Sequence, residues 1–336
     1  MCLIDDILKH KSVSVVGMAK NTGKTVTLNY VLEHMAGSGK CIAVSSIGVD
    51  GESIDRVTAT EKPEITIYEG MFFTTSEKHY QTRRLSAEIY HLSSYNTSLG
   101  RLVTAKAVTT GQVLLSGPAD TLHLQQLIRQ HTQYGVDLTL VDGALSRLSI
   151  ASPVITDALI LATGAAISAN IEQVVRSTKH IYNMIQLPQA PTGLTQKLSS
   201  LAHGIWEIDG EGAVKQTAVS SALFLGRGQN LELSQNTEYV FVSGVITDNL
   251  LHYLRMQTYV DKVVLVARDF TKIFASAEAY RAYVRKGGQI QVLYKSQLLA
   301  ITINPVAPQG YVLNSRHLQQ AMQAAMEIPV YNVKEM

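Results

Sequence analysis

The hydrophobic positions of the chain fall into short apolar runs separated by stretches with helical spacing. The runs that predict strands in the first half of the chain lie at residues 13–16, 41–47, 136–145 and 157–163. Between the first two runs, Leu28, Val31 and Leu32 recur on one face of a predicted helix over residues 26–35. Apolar runs that alternate with helical stretches are typical of β-α-β units. The pattern therefore predicts an α/β fold with a mainly parallel sheet.

The remaining segments predict a second region and leave one placement open. Residues 64–116 are rich in β-forming residues with little helical periodicity, which fits either an antiparallel insertion or edge strands of the same sheet. Residues 187–193, LPQAPTG, have the composition of a linker. Strand and helix patterns resume over residues 239–326. We therefore expect a first domain over residues 1–186 and a second, smaller α/β domain over residues 187–336.

The composition excludes several classes of partner. The 336 residues carry a net charge of +2 and are 17% charged, without the dense Lys/Arg stripe typical of nucleic-acid binding. The longest apolar stretch, residues 158–167, is too short to span a membrane. Cys2 and Cys41 match no metal-ligand spacing, and Asp5 and Asp6 lie where a signal peptide would be positively charged. We expect a cytoplasmic protein that binds neither nucleic acid nor membrane.

The segment between the first strand and the first helix, GMAKNTGKT from Gly17 to Thr25, carries the most specific chemistry. It has the order of strand, glycine-containing loop, Gly-Lys-Thr and helix that defines a P-loop. Backbone N–H groups of such a loop and of the helix's first turn point into one concavity, where the helix dipole favours an anion. Lys24 would reach the terminal phosphates of a nucleotide, and the Thr25 hydroxyl would bind Mg²⁺. The predicted nucleotide-binding residues are Gly17, Lys20, Asn21, Thr22, Gly23, Lys24, Thr25 and Val26.

Two acidic residues are candidate partners of the Mg²⁺. Asp142 ends the apolar run VDLTLVD, where the second motif of a P-loop enzyme places its carboxylate. Asp50 lies in the polar segment after the run at 41–47, a run that we expect to be adjacent to the P-loop strand. We assign Thr25, Asp50 and Asp142 to the metal, and Lys24 and Asp142 to catalysis. Simple turns at these positions are the alternative, and no residue stands out as the base for an attacking water.

The loop is one residue longer than the common P-loop, because Gly17 lies seven positions before Lys24. This G-x-x-x-x-x-G-K-T form resembles the loop of dethiobiotin synthetase and of the cobyrinic and cobyric acid amidotransferases, and the V-D-G-A that contains Asp142 is similar to their V-E-G-A. The resemblance implies a P-loop NTPase of the SIMIBI class and allows a homodimer. Part of this class has a loop lysine that contacts phosphate across the dimer, but Lys20 is one position away from it, so we do not assign that role. Residues 145–147 and the placement of the cysteines depart from the synthetase and the amidotransferases.

Four segments together resemble a further family. They are GMAKNTGKTVTLNYVL, SSIGVDGE, LVDGAL and AITINPVAPQGY, and they are similar to the P-loop reactivase subunit associated with the adenosylcobalamin- and pyridoxal-phosphate-dependent lysine 5,6-aminomutase. The resemblance implies an ATPase that drives damaged cobalamin out of the aminomutase, with a second reactivase subunit as partner. Residues 48–60 would then act as a switch loop that responds to the γ-phosphate.

Two other functions stay open on the sequence alone. An ATP-dependent ligase like dethiobiotin synthetase would use the same loop to transfer phosphate to a small substrate, and a regulator would bind the nucleotide without hydrolysing it. ATP is favoured over GTP because the chain lacks an N-K-x-D motif. The sequence therefore predicts a protein that binds ATP with Mg²⁺. We expect it to hydrolyse the ATP as well, which would make it a P-loop ATPase.

Overall fold

The structure is a computed structural model that describes residues 3–47, 64–144, 151–225 and 230–335. Its strands are β1 (Ser12–Gly17), β2 (Ile42–Ser46), β3 (Ile65–Ile67), β4 (Phe72–Ser76), β5 (Ala87–Thr97), β6 (Gly100–Ala107), β7 (Gly111–Val113), β8 (Leu138–Ala144), β9 (Ala158–Gly164), β10 (Ile205–Asp209), β11 (Val214–Gln216), β12 (Thr237–Val242), β13 (Ile246–Thr247), β14 (Val264–Ala267), β15 (Ile273–Phe274), β16 (Gln289–Val292), β17 (Gln297–Asn304) and β18 (Val330–Tyr331). Its α-helices are α1 (Leu3–Ile7), α2 (Lys24–Met35), α3 (Glu77–Gln81), α4 (Thr121–Gln133), α5 (Ile171–Ile185), α6 (Thr192–Leu198), α7 (Asp248–Arg255), α8 (Ala277–Arg285) and α9 (Ser315–Ala325). The chain forms two compact units.

The first unit is built on a mixed sheet of nine strands in the order β18-β17-β9-β1-β8-β2-β4-β6-β5. The strands from β18 to β4 are parallel, and β6 and β5 are antiparallel. All six residues of β1 are buried, as expected for an interior strand of a parallel sheet whose faces are covered. The predicted α/β class with a mainly parallel sheet is confirmed.

Residues 64–116 extend this sheet at one edge. β4 pairs in parallel with β2, and β6 and β5 follow as antiparallel strands. β3 and β7 pair with each other in a separate two-stranded ribbon. Of the two arrangements that the sequence left open, the structure therefore has the edge strands.

The end of the chain returns to the first unit. β17 pairs in parallel with β9, with Leu298 opposite Leu159, and β18 pairs with β17. The unit comprises residues 1–151, 155–178 and 297–336. The prediction of a single C-terminal domain over residues 187–336 is therefore wrong from Gln297 onward. The reason is physical: β17 is a buried apolar strand that could complete either sheet, and its local pattern does not specify which one.

The second unit comprises residues 152–154 and 179–296. Its main segment begins within α5 rather than at the predicted residue 187. Its five-stranded sheet has the order β11-β10-β12-β14-β16, in which β12, β14 and β16 are parallel. A small core forms around Phe241, Val266 and Leu293. Throughout the described part of the chain, no helix has the length and apolar character needed to cross a membrane.

The packing of α2 fixes the position of the predicted P-loop. Leu28, Val31 and Leu32 are fully buried and belong to the same apolar cluster as Val13 and Val15 of β1. Burial of each such side chain stabilises the fold by roughly 1.5–3 kcal/mol. The helix face expected from the sequence is therefore the face that packs, and both ends of the intervening loop are anchored in the core.

Candidate functional site

The loop that joins β1 to α2 turns sharply before the helix begins. The Met18 N–H donates to the carbonyl of Ala162 in β9 at 2.9 Å, which ties the start of the loop to the neighbouring strand. Asn21 and Gly23 then adopt left-handed backbone conformations, with φ of +62° and +91°. Glycine takes this conformation without steric cost, and asparagine is one of the few other residues that tolerate it. These two residues turn the chain into α2.

The loop also folds tightly over Gly17. A Cβ atom at Gly17 would lie 2.6 Å from Thr22 Oγ1 and 2.7 Å from Lys24 Cγ, distances that real Cβ atoms do not show. The buried Thr22 hydroxyl donates to the Ala19 carbonyl at 2.9 Å and holds the loop closed. Only a residue without a side chain leaves room for both neighbours. Glycine at position 17, one of the predicted nucleotide-binding residues, is therefore required for steric reasons.

Lys24 and Asp142 meet at the carboxyl end of the sheet. β1 and β8 are parallel neighbours with Val15 opposite Asp142, so the carboxylate lies beside the start of the loop. Lys24 Nζ donates to Asp142 Oδ1 at 2.8 Å, and each side chain is 20% exposed. Partial burial makes a paired arrangement necessary, because an unpaired charge there would lose hydration without compensation. The two residues predicted to be catalytic thus form one ion pair.

The first turn of α2 is open to an anion. The helix begins at Lys24, and its N-cap residue Gly23 provides no side-chain cap. The first N–H groups of a helix have no partner within it, so an uncapped terminus next to a lysine suits a phosphate. Thr25 and Val26 lie half-buried in this first turn. The residues present therefore fit the phosphate groups of a nucleotide.

The residues available for Mg²⁺ are the Thr25 hydroxyl and the Asp142 carboxylate, both oxygen donors of the kind that this cation prefers. The described ranges contain no group of three or more His, Cys, Asp or Glu side chains that could hold a metal ion. Mg²⁺ bound to phosphates keeps several waters and uses only one or two protein carboxylates. The donor set is thus consistent with Mg²⁺ bound together with a nucleotide.

The third predicted metal residue, Asp50, lies outside the described residues. The strand before it, β2, pairs with β8, and β8 separates it from β1. The expectation that this strand is adjacent to the P-loop strand is therefore wrong. The remaining predicted loop residues, Lys20 and Asn21, are exposed at the surface.

Asn304 is a site residue that sequence analysis missed. It ends β17, and its Nδ2 group donates to the Asn21 carbonyl at 3.0 Å. A Cβ atom at Gly23 would lie 2.9 Å from Asn304 Cβ, so the side chain fills the space beneath the left-handed glycine. Asn304 therefore braces both residues that turn the loop into α2.

The same asparagine connects the loop to two further segments. Its carbonyl accepts the Ala165 N–H at 2.9 Å, and its Oδ1 accepts the Val306 N–H at 3.3 Å. Tyr311 closes this arrangement by donating its hydroxyl to the Ala165 carbonyl at 2.6 Å. An asparagine followed by proline at the end of an apolar run was the available sequence signal, but assigning residues 297–336 to another domain concealed it.

Comparisons with known proteins identify no relative of the chain, so the description of the site rests on its own sequence and geometry. No protein-family model matches the chain, and neither the curated proteins nor the solved structures contain a significant match to it.

Proposed function

We propose that the chain is a Mg²⁺-dependent ATP-binding and ATP-hydrolysing protein with a P-loop of the SIMIBI type. The observation that carries the proposal is the ion pair between Lys24 and Asp142, at 2.8 Å, beside an uncapped helix N-terminus. Gly-Lys-Thr between a strand and a helix, with an acid at the tip of the neighbouring parallel strand, is the arrangement that P-loop enzymes require.

Each residue has a definite task in this proposal. The Lys24 ammonium and the N–H groups of the loop and the first helical turn bind the terminal phosphates and stabilise negative charge there. The Thr25 hydroxyl and the Asp142 carboxylate would hold the Mg²⁺, which would supply positive charge to offset that of the phosphates. Gly17 and Asn304 keep the loop in the shape that places these groups together.

We further propose that hydrolysis serves to reactivate a cobalamin-dependent aminomutase, together with a second reactivase subunit. This step rests on the sequence resemblance. Its support from the structure is that three of the four resembling segments meet: Lys24 contacts Asp142, and Asn304 contacts Asn21.

The test is Mg²⁺-dependent release of phosphate from ATP and from GTP by the purified chain. We expect slow ATP hydrolysis that Lys24→Ala abolishes and that Lys40→Ala, an exposed lysine of the same unit, leaves unchanged. Unchanged hydrolysis and affinity in Lys24→Ala would refute the assignment of the phosphate site.

The partner is tested by adding an aminomutase that holds inactivated cobalamin, with and without a second reactivase subunit. Stimulated hydrolysis and recovered mutase activity are the expected results. Hydrolysis that appears only with small carboxylates or amines would favour the ligase instead, and tight nucleotide binding without turnover would favour the regulator.

A further inference from the structure

A cleft of about 420 Å³ lies between α4 and the edge strands β5 and β6 of the first unit. We call it the α4 cleft. Its volume falls in the range of small-molecule sites. The strands β8, β2, β4 and β6 separate β5 from β1, which is roughly 24 Å at the spacing of neighbouring strands. The α4 cleft is therefore separate from the P-loop.

The sheet wall of the α4 cleft is polar where a packed wall would be apolar. His91, Ser93 and Tyr95 alternate along β5 and line the cleft, and Leu102 and Thr104 do so on β6. Side chains at every second position of a strand share one face. A sheet face covered by a helix normally carries apolar residues, and here Leu102 is the single apolar member of the five.

The helix wall of the α4 cleft is likewise polar where a packed wall would be apolar. Gln126, Gln130 and Gln133 follow one another at helical spacing along α4, with Arg129 beside them and Leu127 as their apolar neighbour. Burial of polar groups without hydrogen-bond partners is energetically unfavourable. Two polar surfaces therefore do not pack closely against each other. The cleft between α4 and the sheet follows from this pattern. Such local violations of the packing rules are typical of functional sites.

The sheet wall is held in place by its own hydrogen bonds. The register between β5 and β6 shifts between Leu92 and Asn96, and within this irregularity the Ser93 hydroxyl donates to the Tyr95 carbonyl at 2.7 Å and accepts the Leu102 N–H at 2.9 Å. Irregularities of this kind bend a strand and re-aim its side chains. The cleft is thus preorganised rather than a consequence of loose packing.

Thr104, which lines the α4 cleft, is held from behind by a chain of hydrogen bonds. Thr104 bonds to Thr74 at 3.0 Å, Thr74 to His131 Nε2 at 3.1 Å, and His131 Nδ1 to Thr139 at 3.1 Å. All four residues are buried, and the chain of bonds ties β6 and β4 to α4 and β8. Thr104 is therefore held in one position, which lowers the entropic cost of binding a ligand against it.

The charge of the α4 cleft is positive. Arg129 is exposed, and among the described residues it has no carboxylate ion-pair partner; none of the described residues that line the cleft is acidic. His123 lies 2.7 Å from the Asp120 carboxylate, and its ring lies tilted against that of Tyr95, with the two centroids 4.3 Å apart. Burial, with a smaller effect of the Asp120 charge, raises the pKa of Tyr95 to about 12, so its hydroxyl stays neutral.

We propose that the α4 cleft binds a small hydroxylated acid. The planar guanidinium of Arg129 matches the two oxygens of a carboxylate or phosphate group. The amide groups of Gln126 and Gln130, which both donate and accept, match the hydroxyls of such a molecule. The proposal does not depend on the nucleotide site, because no residue is shared between them.

The test is titration calorimetry of the full chain with gluconate, with glucose 6-phosphate and with glucose as the uncharged control. We expect at least one of the two acids to bind, about tenfold more tightly than glucose, because a charge-assisted hydrogen bond contributes this much. Arg129→Gln should weaken binding of that acid about tenfold or more, and Gln126→Glu should weaken it by repulsion. The matched control Arg285→Gln, an exposed helical arginine of the second unit, should bind as the wild type does.

Lys24→Ala separates the two sites, since glucose 6-phosphate carries a phosphate that the P-loop could also bind. Acid binding that survives Lys24→Ala and is lost in Arg129→Gln supports the proposal, and the acid that binds identifies the preferred group. Absence of saturable binding for both acids, or wild-type affinity in Arg129→Gln, would overturn it. Because Arg129 is exposed, we expect Arg129→Gln to remain folded, so that lost binding reflects the site itself. Circular dichroism of each variant checks that it is folded.

Discussion

The strongest single test of the proposed P-loop is Gly17→Ala. The added methyl group would lie 2.6 Å from Thr22 Oγ1 and 2.7 Å and 2.9 Å from two carbons of the Lys24 side chain. These neighbours are side-chain atoms, so they yield before the backbone does. The expected result is a chain that folds but has lost the closed form of the loop.

The magnitudes follow from the contacts that are displaced. Movement of Thr22 breaks its 2.9 Å bond to the Ala19 carbonyl, which contributes about 0.5–1.5 kcal/mol to stability. Movement of Lys24 removes a charged donor from the phosphates, and such bonds contribute about 1.5–3 kcal/mol. Nucleotide affinity should therefore fall roughly 10- to 150-fold, whereas the free energy of unfolding should fall by only about 1 kcal/mol.

The assay combines titration calorimetry with Mg²⁺-ATP and urea unfolding of the same preparation. Gly193→Ala is the matched control, because a Cβ atom at Gly193 in α6 meets no atom within 4 Å. That variant should keep wild-type affinity and stability, or gain stability, since alanine favours a helix more than glycine does. Wild-type affinity in a folded Gly17→Ala protein would refute the steric argument.

Three further predictions concern Asn304, Gly117 and His131, which all belong to the first unit. Asn304→Ala removes the donor to the Asn21 carbonyl, so we expect nucleotide affinity to fall about 3- to 10-fold in calorimetry; unchanged affinity would contradict the bracing role. Gly117→Ala places a Cβ atom 1.5 Å from the Ser46 carbonyl oxygen, a backbone clash that should lower the free energy of unfolding by about 3 kcal/mol or more, and wild-type stability in urea would show that the close approach is absent. Burial lowers the pKa of His131 from 6.5 to about 3, so below pH 6.5 the unfolded chain takes up a proton that the folded chain does not. Stability should therefore decline as the pH falls from 6.5, by about 2 kcal/mol at pH 5, and urea unfolding at both pH values should show a smaller decline in His131→Gln.

The sequence by itself determined the parts of the protein that depend on neighbouring residues. The strand β1, the loop from Gly17 and the helix α2 were all predicted, because helical and strand periodicity and the Gly-Lys-Thr spacing are local properties. The position of Asp142 near the carboxyl end of β8 was predicted for the same reason, because an acid that ends an apolar run lies toward the end of its strand whatever the order of strands. Its contact with Lys24 follows once the two strands are neighbours.

Only the tertiary structure decided how distant segments meet. Strand order depends on pairing between residues far apart in the sequence, so the position of β8 between β1 and β2 could not be derived from local pattern. The same reason explains Asn304: it reaches the loop between β1 and α2 because β17 pairs with β9 instead of joining the second unit. The α4 cleft likewise arises only when two polar surfaces, each ordinary in the sequence, are brought face to face by the packing of α4 on the sheet.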